Sequence, residues 1–591
     1  MKKYISIVLS GLLMCSCVDT VILPDDKTVD EDFWKSKSDV ALMVNGAYKS
    51  MINTDLMMRL VVWGDMRSDE LLPVNSISNA MATSLNEINA ASIQTTNTFN
   101  DWATLYTVIN NCNIVLEKAR GVMDVDPYYT EGDYLVDRSQ MLALRSLCYF
   151  YLVRNFRDVP YSGEAYMNSS QEMMIPQTAP AVVLQHCIDD LKEAETYALA
   201  PDAYTDWRAT GWINRDGVRA ILADIYLWRA AVTHDMSDYE ECSRYCDLII
   251  ESKRSQAADM FGQQAQGDYP LSAGNIAFSN LFVVQNASES IFELQFNTTN
   301  SNTGVCQALY KWRNNSSTNG YMKASRIFGT ISTTNVYDKT GDFRFADNCF
   351  DVGKDETDYF VRKMIEQSIV FRGNPVGAAG FAFNISRAYD KYDQNYIFYL
   401  LTDVMLMKAE AMVEMAGKKM DDANAMADPD NPDKDNPLMQ EGQMQMRQAF
   451  NIVKAVNDRS IYEGSLGNDS LRYNNFPTKA AMEELVMKER LRELCFEGKR
   501  WYDLMRYHYR HTEAADYNRT FAEIGDEGYP NSYDAMLDLM VRKYSQGSNG
   551  IKAKMKTEPS LYLPVLQSQI DINPNLSQNP AYGNSNEFEK N

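Results

Sequence analysis

Histidine is nearly absent from this chain: four among 591 residues, at positions 186, 234, 508 and 511. So few and so dispersed, they argue against most His-based metal or acid–base chemistry. His508 and His511 share one helix face, but no HExxH spacing accompanies them, and they are read as facing solvent. Positive charge is in deficit, with 57 Lys and Arg against 80 Asp and Glu and a formal net charge of −23. That excludes partners that demand a basic face, nucleic acid first among them. There is no GxGxxG and no P-loop, so nothing is built to cradle a nucleotide phosphate. Paired cysteine spacing is also missing. Cys112, Cys148, Cys187 and Cys495 sit among apolar helical residues and read as small buried thiols. Cys242 and Cys246 lie one helical turn apart with no His or second Cys pair nearby, which leaves a metal site unsupported.

What is present begins with MKKYISIVLSGLLMCSC. Lys2 and Lys3 precede an apolar run over 4–14 that is shorter than the roughly 20 residues a spanning helix needs. The run is an export signal, and it ends on a small residue immediately before Cys17, as in a bacterial lipoprotein cleavage box. Cys17 is the expected lipidation site; Cys15 is disfavoured because Met14 would occupy the position where the peptidase wants a small side chain. Residues 1–16 are thus a signal peptide and 17–32 a polar tether that anchors the chain to a membrane through acyl groups.

From residue 33 on, the apolar periodicity is mostly helical, predicting helices over 38–53, 99–119, 136–156, 181–198, 215–233, 239–251, 396–415, 444–459 and 478–510. Their spacing in pairs of about 34 residues resembles tetratricopeptide-type repeats. The expected fold is mainly α, a helical-repeat scaffold with long irregular loops and a few short strands, one of them over 291–296. It is read as a single domain over 33–591 with an N-terminal helical part (33–252), a loop-rich ligand-binding part (253–395) and a C-terminal helical part (396–591). Two polar stretches interrupt the helices, at 71–99 and 421–441. Asp428 and Asp430 in the second are spaced as in a calcium loop, but Pro432 occupies the next ligand position. Calcium is therefore unsupported and no cofactor is implied.

Four segments together resemble the SusD/RagB family of outer-membrane lipoproteins of Bacteroidetes. They are DVALMVNGAY (39–48) followed by GDMRSDE (64–70), RSLCYFYLVRNFRDVP (145–160), ERLRELCFEGKRWYDLMR (489–506), and LPV (563–565) followed by NPNLSQNP (573–580) with Tyr582. Arg157 stands where the family usually has Gly. In the 489–506 segment, Glu489, Glu493 and Glu497 beside Arg492 and Arg500 read as a salt-laced helix face, each pair worth a few tenths of a kcal/mol. Carboxylates stacked along one helix do not face one another across a substrate, so no catalytic pair is assigned. Gly498 reads as a close-packing point, and Trp102, Trp228 and Trp501 as core.

The resemblance implies a cell-surface, outer-membrane lipoprotein that captures a glycan and delivers it to a TonB-dependent transporter of the SusC type, without enzymatic activity. Aromatic residues make up 11% of the chain, and their flat apolar rings with polar tips suit sugar faces. The first expected contacts are Tyr310, Trp312, Arg313, Asn315 and Tyr321 in the 307–321 loop, with packing of Tyr310 and Trp312 under that loop as the alternative. The second are Trp63, Asp65, Arg67 and Asp69, which alternatively fasten the 71–99 segment. Peptide or protein capture on the same fold, a surface glycoside hydrolase, and a scaffold with no small ligand stay open beside the glycan reading.

Overall fold

The computed structural model describes residues 33–583 apart from 75–76, 169, 262–268, 298–308, 311–319, 330, 352–358, 365–368, 373–381, 386–393 and 427–435. Eleven of its helices carry the architecture: α1 (Lys37–Met51), α2 (Thr54–Val61), α3 (Ala103–Val122), α4 (Glu131–Phe156), α5 (Pro180–Tyr197), α6 (Arg215–Thr233), α7 (Met236–Phe261), α8 (Leu401–Met426), α9 (Pro437–Ser460), α10 (Lys479–Leu494) and α11 (Arg500–Arg510). From α3 to α9 each helix packs on the next, and α1 lies against α3, giving the successive stacking of a helical-repeat scaffold. Local chemistry sets the ends. Thr130 and Asp133 form a reciprocal capping box at the start of α4, Asn214 caps α6, and Pro180 and Pro437 open α5 and α9. Trp102, Trp228 and Trp501 are core residues, and the four predicted thiols are buried, as are Cys242 and Cys246.

Among the described residues, ten short strands pair in four sheets: β1 (Leu71–Pro73), β2 (Val159–Pro160), β3 (Gln177–Thr178), β4 (Ser290–Leu294), β5 (Met322–Ala324), β6 (Cys349–Asp351), β7 (Tyr359–Val361), β8 (Ile369–Arg372), β9 (Ala382–Ile385) and β10 (Tyr396–Leu400). The largest has the order β1-β5-β7-β6, and β4 pairs antiparallel with β10. Residues 396–400 thus correct the helix predicted over 396–415. Tyr-Ile-Phe-Tyr-Leu is a continuous aromatic and β-branched run, buried along its whole length, and it forms a strand before α8 begins.

The helix predicted over 478–510 is also two helices. It breaks between Leu494 and Arg500, where Phe496 and Gly498 take left-handed φ of 65° and 74°. The freed amides are captured from far away in sequence: Phe496 N–H donates to Glu70 Oε2 at 3.1 Å and Gly498 N–H to Asp65 Oδ2 at 3.0 Å. A Cβ on Gly64 would lie 2.0 Å from the Gly498 carbonyl oxygen, so the π-helical turn Val62–Met66 seats directly on this break.

The charges of the 489–506 segment are not a solvated face. Glu489, Glu493, Glu497, Arg492 and Arg500 are all buried, because residues from the loop-rich middle of the chain close over them. Arg344 donates to Glu489 at 2.8 Å and Glu493 at 2.9 Å, and Lys363 pairs with Glu497 at 2.5 Å. Burial alone would raise the Glu493 carboxyl, but Arg459, Arg344 and Lys363 outweigh it and hold it at about 2. Removing one partner of such a pair costs about 3 to 5 kcal/mol, an order above the surface value.

His508 is likewise buried, against the expectation that it faces solvent. Its Nδ1 accepts the Tyr533 N–H at 3.0 Å. His511 is half-buried, stacked on Tyr533 with ring centroids 4.5 Å apart and bonded to Glu483 at 2.9 Å.

Candidate functional site

The sequence-predicted contacts separate. Tyr310 is fully buried and bridges Met322 of β5, while Tyr321 donates its N–H to the Leu309 carbonyl at 2.7 Å. Tyr321 stays partly exposed, its hydroxyl accepting from Asn79 Nδ2 at 3.1 Å. Trp312, Arg313 and Asn315 lie outside the described residues, as does Cys17.

The second group is interior. Trp63 is fully buried, donates Nε1–H to the Phe99 carbonyl at 2.7 Å, and meets Phe156 edge-on. Asp69 receives Arg500 through both oxygens at 2.9 and 3.2 Å. Burial pushes Asp65 up to about 7 despite the Gly498 amide it accepts. Asp65 and Asp69 hold the π-helical turn against the α10–α11 break while Trp63 packs it on Phe99 and Phe156, and all three are buried. Arg67 differs: it is 5% exposed, lies over the Trp501 ring at 4.3 Å, and lines a cavity.

The structure brings together an aromatic platform that the sequence reading missed. Between α5 and α6, Trp207 is 48% exposed and stands edge-on to Trp212, with centroids 6.2 Å apart; Tyr204 meets Trp212 in the same manner at 5.7 Å. Gly211 allows the fit, since a Cβ there would sit 2.7 Å from both Trp207 Cε3 and Gln295 Cγ. Trp207 and Trp212 line a groove of about 520 Å³ together with an amide-bearing wall: Asn286, Gln295 and Asn395.

That wall is held in place from behind. Asn395 Nδ2 donates to the buried Glu293 at 2.8 Å and its backbone N–H to Gln285 Oε1 at 2.7 Å; Gln295 Nε2 donates to Asn286 Oδ1 at 2.8 Å. Gln285 and Asn286 both take left-handed φ, 66° and 49°, a strained pair held by these bonds. A flat ring beside fixed amide donors and acceptors suits a neutral, hydroxyl-rich ligand with an apolar face. The signal was legible: Tyr204, Trp207 and Trp212 are three large rings within one short polar stretch.

Two family descriptions match this chain, "SusD family" over residues 314–582 and "Starch-binding associating with outer membrane" over 23–227. Among curated relatives, SusD-like protein P38 of Formosa agariphila is 22% identical over 86% of this chain and 92% of its own. SusD-like protein P2 of the same organism is 24% identical over 92% of this chain and 96% of its own. A crystal structure of a SusD homologue from Bacteroides thetaiotaomicron superposes with a TM-score of 0.66 at 18% identity, covering 94% of this chain and 99% of that one. A SusD superfamily protein from Parabacteroides distasonis gives 0.60 at 20% identity, covering 92% and 99%. With the helical-repeat fold, the four ordered motifs and the two matched regions in agreement, the chain belongs to the SusD/RagB family.

Proposed function

We propose that this chain is a glycan-binding lipoprotein of the outer membrane that captures an oligo- or polysaccharide at the cell surface and passes it to a SusC-type TonB-dependent transporter, without cutting it. The observation that carries the binding reading is the groove lined by exposed Trp207 and half-buried Trp212 together with the amides of Asn286, Gln295 and Asn395. Membership of a family described as starch-binding and associating with the outer membrane supports the ligand class and the location. The lipobox at Cys17 supports the anchor.

One ring stacked on one sugar buries about 50 Å² of apolar surface, worth about 1 to 1.5 kcal/mol. Trp207→Ala is therefore expected to weaken binding roughly tenfold. The test is affinity electrophoresis of the chain begun after Cys17 through gels holding a panel of polysaccharides, with Trp207→Ala and Trp312→Ala alongside. Retardation by one glycan that is lost in Trp207→Ala supports the groove. Loss only in Trp312→Ala moves the contact to the 307–321 loop. No retardation by any glycan favours peptide capture, and shortened oligosaccharide after incubation would make the chain a hydrolase.

A further inference from the structure

A second cavity, of about 440 Å³, opens where the end of the short helix Ala80–Asn89 meets residues 540–560 and residues 581–582. It shares no lining residue with the Trp207 groove. Among the described residues its charged lining is Arg67 and Lys554, with no Asp or Glu, in a chain whose formal net charge is −23.

Arg67 differs from most of the buried arginines. Arg157, Arg344, Arg490, Arg500 and Arg506 each pair with one or more carboxylates. Arg67 pairs with none among the described residues. Among the described residues its guanidinium makes one hydrogen bond, a long one of 3.4 Å from Nη2 to the Ser560 carbonyl, and its Nη1 is buried with no described partner. Burial draws its guanidinium down to about 10, the direction expected when no anion compensates. Lys543, also buried, donates to the carbonyls of Met66 and Leu71 at 2.9 and 3.2 Å, and burial draws its ammonium down to about 7. At the rim, Lys554 Nζ rests on the Ala90 carbonyl at 3.1 Å. The remaining wall offers the Tyr544 and Tyr582 rings with Ile551 and Met555.

An uncompensated guanidinium in a walled cavity is the arrangement that recognises a planar oxyanion, and the adjacent rings accept an apolar body. We propose that this cavity binds the carboxylate of a small organic acid, with Arg67 as its counter-ion and Lys554 at its mouth. Two sources share that chemistry: an acidic sugar such as a uronate, and a free aliphatic or aromatic acid. The inference stands whether or not the Trp207 groove takes a glycan.

The test is calorimetric titration of the chain begun after Cys17 with glucuronate, benzoate and glucose. Binding of either acid, without glucose binding, is expected; glucuronate alone assigns an acidic sugar and benzoate alone a free acid. Arg67→Met is expected to weaken the acid about 30-fold or more. Because Arg67 packs on Trp501, Lys554→Ala is measured too, and is expected to weaken binding several-fold, as is raising the salt. No binding of either acid, glucose binding that Arg67→Met weakens equally, or acid affinity unchanged by these substitutions and by salt overturns the proposal.

Discussion

Single residues here are decided by what surrounds them. Arg157 stands where the resemblance expects Gly, and it adopts the left-handed φ of 64° that would favour one. The position accepts an arginine because the side chain is held on every side: by Asp158 at 2.7 Å, Glu558 at 3.2 Å, the carbonyls of Asp516 and Arg519, and the face of Phe521 at 4.3 Å. His508 shows the opposite dependence. Burial draws it down to about 4, so the folded chain keeps it neutral while the unfolded chain protonates it near 6.5. A group depressed in the folded state contributes its full stability above pH 6.5 and loses it as pH falls towards 4. Against His508→Asn, whose Oδ1 can replace Nδ1 as acceptor for Tyr533, the unsubstituted chain is expected to lose up to about 3 kcal/mol more across that window. Urea denaturation at pH 7.5, 6, 5 and 4 measures it, and parallel profiles for the two chains would contradict it.

At the scale of elements, the motifs that identify the family explain themselves as joints. GDMRSDE and the CFEGKR stretch lie more than four hundred residues apart, yet Asp65, Asp69 and Glu70 bond respectively to Gly498, Arg500 and Phe496. The approach of Gly64 to Gly498 leaves no room for a methyl group, so Gly64→Ala is expected to cost about 3 kcal/mol, read as a lowered urea midpoint. An unchanged midpoint would show that the turn can move off the break. Periodicity found α4 and α6 because each is a long, apolar-rich run with a capped start, buried on nearly every side over most of its length. It failed over 396–400 and at 495–499 for separate reasons. A short apolar run has no period to separate strand from helix, and the break is stabilised by carboxylates that no local window contains.

Over the whole molecule, the chain end is tied to the helical body. The Leu563 N–H donates to the Asn155 carbonyl and the Gln567 N–H to the Thr95 carbonyl, and Asn573 and Asn579 side chains donate to the carbonyls of Ile175 and Pro559. The NPNLSQNP motif thus saturates backbone acceptors on two elements. Glu558→Ala removes a buried partner of Arg157 and is expected to cost about 3 to 5 kcal/mol, with far-ultraviolet and tryptophan transitions shifting together. A shift in one signal alone would show the closing segment to be energetically separate. The sequence by itself determined the helical scaffold, the positions of most helices and the family, because apolar period, caps and ordered motifs are local properties of the chain. Only the tertiary structure decided which charges are buried, why Tyr310, Trp63 and Asp69 are interior, and that Trp207 shares a groove with three amides while Arg67 meets no carboxylate among the described residues. Those outcomes depend on which distant segments close over a side chain, and burial and charge compensation are set by neighbours that sequence spacing does not record.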